Sequence, residues 1–220
     1  MIKNYFTPDK YSLVESINDP QFKAYMLSEV IKIHSSEKKG TFIDIGAGYG
    51  RIIPHIPKRF DTIISIDKNK YMISELKKRY PTVNTIYGDA TNLASIVNIP
   101  KDSLIVILQN TLGTWNGDYL KLLKNINDCA KTSHSDVIIS IFRADALKKW
   151  GLSIYSKIEN LTGKINQNES NLERGLFVGY NGYSSKWFTD YEIDRIKKIM
   201  KTQSNDFATD KFNIMHFSYK

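Results

Sequence analysis

The sequence contains a single cysteine, Cys129, among its 220 residues. One thiol excludes an internal disulfide and any metal site built from several cysteines. No apolar run approaches the roughly 18 residues that a membrane-spanning helix needs. The N-terminal residues also lack the apolar core that is typical of a secretory signal. These absences predict a cytoplasmic protein.

Arginine is scarce relative to lysine in a chain with a net charge of +8 and a pI of about 9.3. An excess of positive charge is typical of proteins that bind RNA. Planar, bidentate recognition of phosphate favours arginine, however, and the lysines here are scattered. RNA therefore stays open as an alternative partner, and a lysine-rich composition is the simpler explanation of the charge.

Strand-like and helix-like segments alternate over the first two thirds of the chain. This alternation predicts an α/β fold of the Rossmann-like, doubly wound type, with a mostly parallel sheet of about seven strands. The length and the 41% hydrophobic content predict one domain over residues 1–220. Short β-branched or apolar runs predict strands at residues 41–45, 62–66, 83–87, 104–108 and 137–142.

The segments before and after these five strands also show sequence patterns that predict structure. Residues 1–38 are expected to form an N-terminal lid and a helix that starts at Asp19-Pro20. Residues 144–188 are expected to be an insertion on the substrate side, with a hairpin turn at Asn181-Gly182. A capping box from Thr189 to Glu192 then opens a helix, and residues 212–219 predict a strand at or next to the sheet edge.

A glycine-rich turn follows the first predicted strand and reads Asp44-Ile45-Gly46-Ala47-Gly48-Tyr49-Gly50-Arg51. Glycine lets the backbone approach a ligand closely, and a following helix offers free amides. Ile52, Ile53 and Ile56 predict such a helix, with Pro54 in its first turn. The dinucleotide fingerprint needs a glycine where Arg51 stands, so the spacing disfavours an NAD-dependent dehydrogenase.

The acidic-x-Gly-x-Gly-x-Gly pattern resembles the first motif of the class I S-adenosylmethionine-dependent methyltransferases, and the resemblance covers about residues 40–142. Asp67 stands at the end of the second strand, where this family places an acid on the two ribose hydroxyls. Asp89 ends the third strand, where the family binds the adenine amino group, and Asp44 matches the acid near the methionine ammonium. The resemblance implies S-adenosylmethionine as cofactor, S-adenosylhomocysteine as its product, and a binding site formed by Asp44, Gly46, Ala47, Gly48, Gly50, Asp67, Lys68, Asp89, Ala90, Gln109 and Asn110.

The acceptor is expected beside residues 109–116, after the fourth strand. No proline lies in this segment, so the D/N-P-P-Y/F box of nucleic-acid base N-methylases is absent. Cys129 lies within a predicted helix and does not match the catalytic cysteine of 5-methylcytosine enzymes. The Asn110-x-x-Gly113 pattern is similar to small-molecule N- and O-methyltransferases, although Asn110 also fits a simple turn. Candidate acceptor contacts are Tyr11, Gly113, Arg143, Tyr183 and Ser185.

The leading hypothesis is methyl transfer to an N or O atom of a small molecule. Alignment and exclusion of water supply much of the rate of such a reaction, so no catalytic residue is named. No metal is expected either, because the histidines and acids lack metal-ligand spacing. An RNA or tRNA methyltransferase and a non-catalytic S-adenosylmethionine-binding protein remain as alternatives.

Overall fold

The computed structural model describes residue 14, residues 17–115 and residues 117–219. Its centre is a seven-stranded sheet in the order β3-β2-β1-β4-β5-β9-β8, and a separate two-stranded sheet pairs β6 with β7. Strands β1 to β5 run parallel, whereas β9 is antiparallel to both β5 and β8. The strands are β1 (Thr41–Ile45), β2 (Thr62–Asp67), β3 (Asn84–Tyr87), β4 (Leu104–Ile107), β5 (Asp136–Phe142), β6 (Leu176–Val178), β7 (Ser184–Lys186), β8 (Ser204–Ala208) and β9 (Phe212–Phe217).

Helices cover both faces of the large sheet, which confirms the doubly wound α/β prediction. One apolar cluster joins the first helix and the segment after β5 to one face, and a second cluster packs the helices before β5 and before β8 on the other. Strands β1, β4 and β5 are buried along their whole length, as continuous apolar runs in a covered parallel sheet must be. The helices are α1 (Pro20–Ser35), α2 (Lys70–Arg79), α3 (Leu93–Ile96), α4 (Tyr119–Ser133), α5 (Leu152–Lys157), α6 (Glu159–Thr162) and α7 (Asp190–Met200).

Two helix starts follow the sequence signals. The Asp19 carboxylate accepts the backbone N–H groups of Gln21 and Phe22 at 3.0 and 2.9 Å, with Pro20 at the first helical position. Thr189 and Glu192 form the reciprocal capping box at the start of α7. Side-chain oxygens thus satisfy amides that have no partner within the helix.

The helix predicted after the glycine-rich turn is wrong. Only a single 3-10 turn, Ile53–His55, forms there, and Ile56 is extended. Pro54 provides no N–H, and Pro57 disfavours helical backbone at the residue before it. Apolar spacing alone therefore gave a false signal in this stretch.

Strand β8 was not singled out by the sequence, although the predicted total of about seven strands is confirmed. Its residues are polar or partly exposed, and it pairs only with β9 at the sheet edge. Residues 212–217 form β9, the strand next to that edge.

The segment of residues 144–188 leaves the sheet after β5 and returns to the same place before α7. The Phe188 N–H donates to the Phe142 carbonyl oxygen at 2.8 Å, and the Ala144 N–H donates to the Phe188 carbonyl oxygen at 2.9 Å. Between these ends lie α5, α6 and the β6–β7 hairpin, whose turn contains Gly182 with a φ of 86°. The hairpin is the one that the sequence predicted.

In the part of the chain that the structure describes, none of the helices has the combination of length and apolar character needed to cross a membrane.

Candidate functional site

A cavity of about 1180 Å³ lies at the edge of the sheet where β1 to β5 end. In an open α/β sheet this edge is where ligands bind. Drug-sized ligands occupy pockets of about 300–1,000 Å³, so the cavity has space for a nucleoside-containing ligand and a second small molecule.

The glycine-rich turn forms the floor of the cavity beside β1. Gly46 and Gly48 have φ angles of 73° and 53°, in the region that favours glycine. The Gly46 N–H donates to the Ile66 carbonyl oxygen at 2.8 Å, which ties the turn to β2. A Cβ on Gly46 would lie 2.2 Å from Cγ2 of Thr111, so no larger residue fits without movement of that side chain.

The carboxylate of Asp67 closes the turn from β2. Its two oxygens accept the N–H groups of Gly48 at 2.9 Å and Asn69 at 2.8 Å. Burial raises the pKa of Asp67, and these two hydrogen bonds oppose the rise. The side chain is thereby fixed in orientation while it still faces the cavity.

Asp89 and Asp44 differ in their electrostatic setting. Partial burial raises the pKa of Asp89, but the amide and hydroxyl of Thr91, which donate to its carboxylate at 2.9 and 2.7 Å, leave the pKa below its usual value. Burial raises the pKa of Asp44 to about 7, although the Arg51 guanidinium opposes the rise. Asp44 therefore titrates near neutral pH, whereas Asp89 is ionised.

A basic and an aromatic residue lie together near Asp89. The Lys68 ammonium lies 4.7 Å from the centroid of the Trp115 ring, in a cation–π arrangement. Burial lowers the pKa of Lys68, and Asp89 and Asp67 oppose the fall. Trp115 was not among the predicted site residues, although it lies in the 109–116 segment that the sequence placed at the acceptor.

A buried polar network lies beneath the loop after β4. Glu29 of α1 is fully buried and forms an ion pair with Arg51. It also accepts the N–H of Gln109 at 2.6 Å and the hydroxyl of Ser140. The Arg51 Nε donates to the Gln109 side chain at 2.9 Å. These contacts hold Gln109 at a φ of 51°, a conformation that is costly for a residue with a side chain.

Sequence reasoning missed Glu29. The available signal was a charged residue at a position of the apolar stripe, since Glu29 follows Phe22 by seven residues and precedes Ile33 by four.

The Asn110 side chain joins three strands. Its Oδ1 accepts the N–H of Phe142 at 3.2 Å, and its Nδ2 donates to the Lys186 carbonyl oxygen at 3.1 Å and to the Ser185 hydroxyl at 3.3 Å. The amide therefore links the ends of β4, β5 and β7. Asn110 therefore positions three strand ends, whereas the sequence also fitted a residue that only forms a turn.

The structure brings most of the predicted cofactor residues to the cavity. Gly50 does not line it; its φ is 78°, and a Cβ there would lie 2.3 Å from the Ile53 side chain. The predicted residues that do line the cavity are Asp44, Gly46, Ala47, Gly48, Asp67, Lys68, Asp89, Ala90, Gln109 and Asn110.

Some of the predicted acceptor contacts line the cavity and others do not. Tyr183 and Ser185 line the cavity. Gly113 instead lies against the Lys186 backbone, where a Cβ would be 2.1 Å from the carbonyl oxygen. The Arg143 guanidinium forms an ion pair with Asp190 at 2.7 Å and does not line the cavity. Tyr11 and the rest of the predicted N-terminal lid, residues 1–13, lie outside the described residues.

The part of the cavity nearest the 144–188 segment is lined by further residues that the sequence did not single out as site residues. They come from the end of β5 and from α5 and α6, and the spacing of the segment gave no clue to which of its side chains face inward. They are Phe142, Ile154, Tyr155, Ile158 and Leu161.

Residues 43–133 match a family model described as a methyltransferase domain. No curated protein sequence matches the chain. The matched range begins in β1 and ends with α4, so it contains the glycine-rich turn and the three acids at the strand ends.

Several solved structures share the fold at low sequence identity. An S-adenosylmethionine-dependent methyltransferase from Clostridium acetobutylicum is 12% identical, with a TM-score of 0.62 over 96% of this chain and 98% of that one. The N-methyltransferase NodS from Bradyrhizobium japonicum, solved with S-adenosylhomocysteine, is 10% identical, with a TM-score of 0.59 over 96% of each chain. The 1,6-didemethyltoxoflavin-N1-methyltransferase from Burkholderia thailandensis, solved with 1,6-didemethyltoxoflavin and S-adenosylhomocysteine, is 12% identical, with a TM-score of 0.56 over 98% of this chain and 91% of that one.

The matched domain thus carries the glycine-rich turn and the strand-end acids on a fold that methyltransferase structures share. On these grounds residues 43–133 are a methyltransferase domain, and the chain has the fold of S-adenosylmethionine-dependent methyltransferases.

Proposed function

We propose that the chain is a class I S-adenosylmethionine-dependent methyltransferase and that it transfers the methyl group to an N or O atom of a small molecule in the same cavity as the cofactor. One observation carries this proposal: a single cavity is lined both by the acids at the ends of β2 and β3 and by residues of the 144–188 segment. We further propose a cytoplasmic location, on the sequence features alone.

The sheet order supports an assignment of the cofactor groups. Asp89 and Ala90 follow β3 and would hold the adenine, and Asp67 follows β2 and would hold the ribose hydroxyls. Asp44 and the glycine-rich turn at β1 would hold the methionine part. Because β3, β2 and β1 are consecutive in the sheet, an extended cofactor can meet these groups in that order.

The residues around the cofactor fit this ligand chemically. The Asp67 oxygens accept backbone N–H groups and retain lone pairs for the O–H groups of a diol. Asp44 and Asp89 add negative charge beside a ligand that carries an ammonium and a sulfonium. When bound, S-adenosylmethionine supplies a methyl group on a sulfonium sulfur, and this sulfur is a good leaving group. The contribution left to the protein is orientation and exclusion of water.

The segment of residues 144–188 supports a small acceptor. Ile154, Tyr155, Ile158 and Leu161 are buried and lie against the cavity. The structural neighbour from Burkholderia thailandensis is described with bound 1,6-didemethyltoxoflavin and S-adenosylhomocysteine. Apolar side chains of this kind suit a small acceptor that packs against them.

Calorimetric titration with S-adenosylhomocysteine tests the cofactor assignment, and we expect binding with one site per chain. Incubation with methyl-labelled S-adenosylmethionine and a panel of amines, phenols and N-heterocycles then tests transfer. Binding of the cofactor product without transfer to any small molecule, together with transfer to bulk tRNA, would replace the small-molecule proposal by the RNA alternative.

A further inference from the structure

We infer that the acceptor is an uncharged, ring-sized molecule that carries a hydrogen-bonding group. This inference rests on the proposed function and specifies its substrate class. The relevant part of the cavity, which we call the acceptor chamber, is lined by Phe142, Ile154, Tyr155, Ile158, Leu161 and Tyr183.

The position of the acceptor chamber follows from the sheet order. Strand β4 lies between β1, which carries the glycine-rich turn, and β5, which ends at Phe142. Asp67 and Asp89 lie on the other side of β1, at the ends of β2 and beyond β3. A ligand in the acceptor chamber therefore lies past the methionine end of the cofactor site and not at its nucleoside end.

The walls of the chamber are apolar and aromatic. The rings of Tyr155 and Tyr183 are 6.1 Å apart, and those of Phe142 and Trp187 are 4.6 Å apart. Trp187 is almost fully buried and supports both Phe142 and Tyr155 from behind. The rings are tilted or edge-to-face to one another, and they give the chamber an aromatic wall against which a ring of the acceptor can pack.

Among the described residues, the charged side chains of the cavity lining lie on the cofactor side. They are Asp44, Arg51, Asp67, Lys68, Lys70 and Asp89, and each lies near the end of β1, β2 or β3 or after it. None of the described lining residues that come from β5, α5, α6 or the β6–β7 hairpin is charged. A carboxylate or phosphate in the acceptor chamber would lose its hydration without gaining a counter-charge there.

The polar groups of the chamber form a hydroxyl cluster of Tyr155, Tyr183 and Ser185. The Trp187 Nε1 donates to the Tyr155 hydroxyl at 2.7 Å, and the three hydroxyls interact with one another. Burial raises the pKa of Tyr155 to about 12 and raises that of Tyr183 as well. Both phenols therefore keep their protons at neutral pH and can exchange hydrogen bonds with a polar group of the acceptor.

Matched pairs of aromatic compounds test this inference. The protein is first saturated with S-adenosylhomocysteine, and that titration also reports on the proposed function. Three pairs are then titrated by calorimetry: 2-naphthol and 6-hydroxy-2-naphthoate, 5-hydroxyindole and 5-hydroxyindole-2-carboxylate, and 8-hydroxyquinoline and its 2-carboxylate. We expect the uncharged member of at least one pair to bind at least about tenfold more tightly than its carboxylate.

Two variants of the same hairpin locate the binding. Tyr183→Phe removes one hydroxyl of the cluster. It should lower the binding affinity for the hydroxyl-bearing compound by roughly fivefold. Tyr180→Phe makes the same chemical change at a side chain that is 70% exposed and should leave the affinity unchanged.

The outcomes separate the two claims. Absence of S-adenosylhomocysteine binding would contradict the proposed function, and it would therefore also contradict the inference about the acceptor. If S-adenosylhomocysteine binds but the carboxylates bind as well as the uncharged compounds, no compound binds, or both variants act alike, the inference alone is overturned.

Discussion

The carboxylate of Glu29 is fully buried on the first helix and forms an ion pair with Arg51, the residue directly after the glycine-rich turn. The same carboxylate accepts the N–H of Gln109 after β4. One side chain therefore connects α1 to two loops that border the cavity.

Glu29→Gln should lower the free energy of unfolding by about 3 kcal/mol, because it leaves the Arg51 charge buried without its partner. Urea denaturation at pH 7 measures this change. The control is Glu75→Gln, which removes an ion pair with Lys78 between more exposed side chains and should cost less than about 0.5 kcal/mol. Equal effects of the two substitutions would show that the buried pair is not a determinant of stability.

Asp67→Asn should weaken S-adenosylhomocysteine binding by about 2 kcal/mol, or roughly thirtyfold, since an amide accepts hydrogen bonds from a diol less well than a carboxylate. Calorimetric titration gives the affinity. Asp61→Asn changes an exposed acid just before β2 and should leave the affinity as in the parent. An unchanged affinity for Asp67→Asn would remove Asp67 from the proposed ribose contact.

S-Adenosylmethionine binding at pH 7 should release protons. The pKa of Asp44 is about 7 in the free protein, and a bound ammonium and sulfonium would favour its ionised form and lower that pKa. Titrations in phosphate and in Tris, which have different ionisation enthalpies, measure the proton count. Asp44→Asn should abolish the release, and proton uptake by the parent protein would contradict the assignment.

Asp44→Asn should also change how the stability of the ligand-free protein depends on pH. A carboxyl whose pKa is higher in the folded than in the unfolded chain lowers stability as the pH rises from the unfolded pKa toward the folded one. For Asp44 that range runs from the usual value of 3.8 to about 7. The variant should therefore equal the parent in stability near pH 4 and exceed it at pH 8, as denaturation at both pH values will show.

Asn110→Ala should lower the free energy of unfolding by about 3 kcal/mol, because it leaves the Phe142 N–H and the Lys186 carbonyl without their partner and places alanine at a φ of 55°. Asn205→Ala, at an exposed position of β8, is the matched control and should change stability by less than about 0.5 kcal/mol. If Asn110→Ala keeps its full stability and loses only activity, Asn110 acts on the ligand and does not act as a link between strands.

The parts of the fold that sequence predicted best are those in which the local pattern and the tertiary environment agree. Strands β1, β4 and β5 are buried on both faces, so their apolar runs were unambiguous. The polar edge strand β8 takes its conformation from pairing with β9, and no local pattern indicates such pairing. The false helix at Ile53 shows the reverse case, in which two prolines outweigh an apolar spacing.

The residues of the candidate site also differ in how well the sequence predicted them. The glycine-rich turn, Asp67 and Asp89 are tied to strand ends, so their spacing along the chain places them at one edge of the sheet. Tyr155 and Leu161 reach the cavity only because α5 and α6 fold back over it, and Glu29 reaches Gln109 across 80 positions of sequence. Contacts of this kind depend on packing between distant segments, which composition and periodicity do not encode.

The paired backbone of Phe142, Ala144 and Phe188 brings together the two points at which the 144–188 segment leaves and re-enters the sheet. A chimaera could exchange residues 144–188 for the corresponding stretch of another methyltransferase at this junction, with both chain crossings kept in register. Because the two chain crossings lie side by side, such an exchange would leave the strand order of the large sheet unchanged.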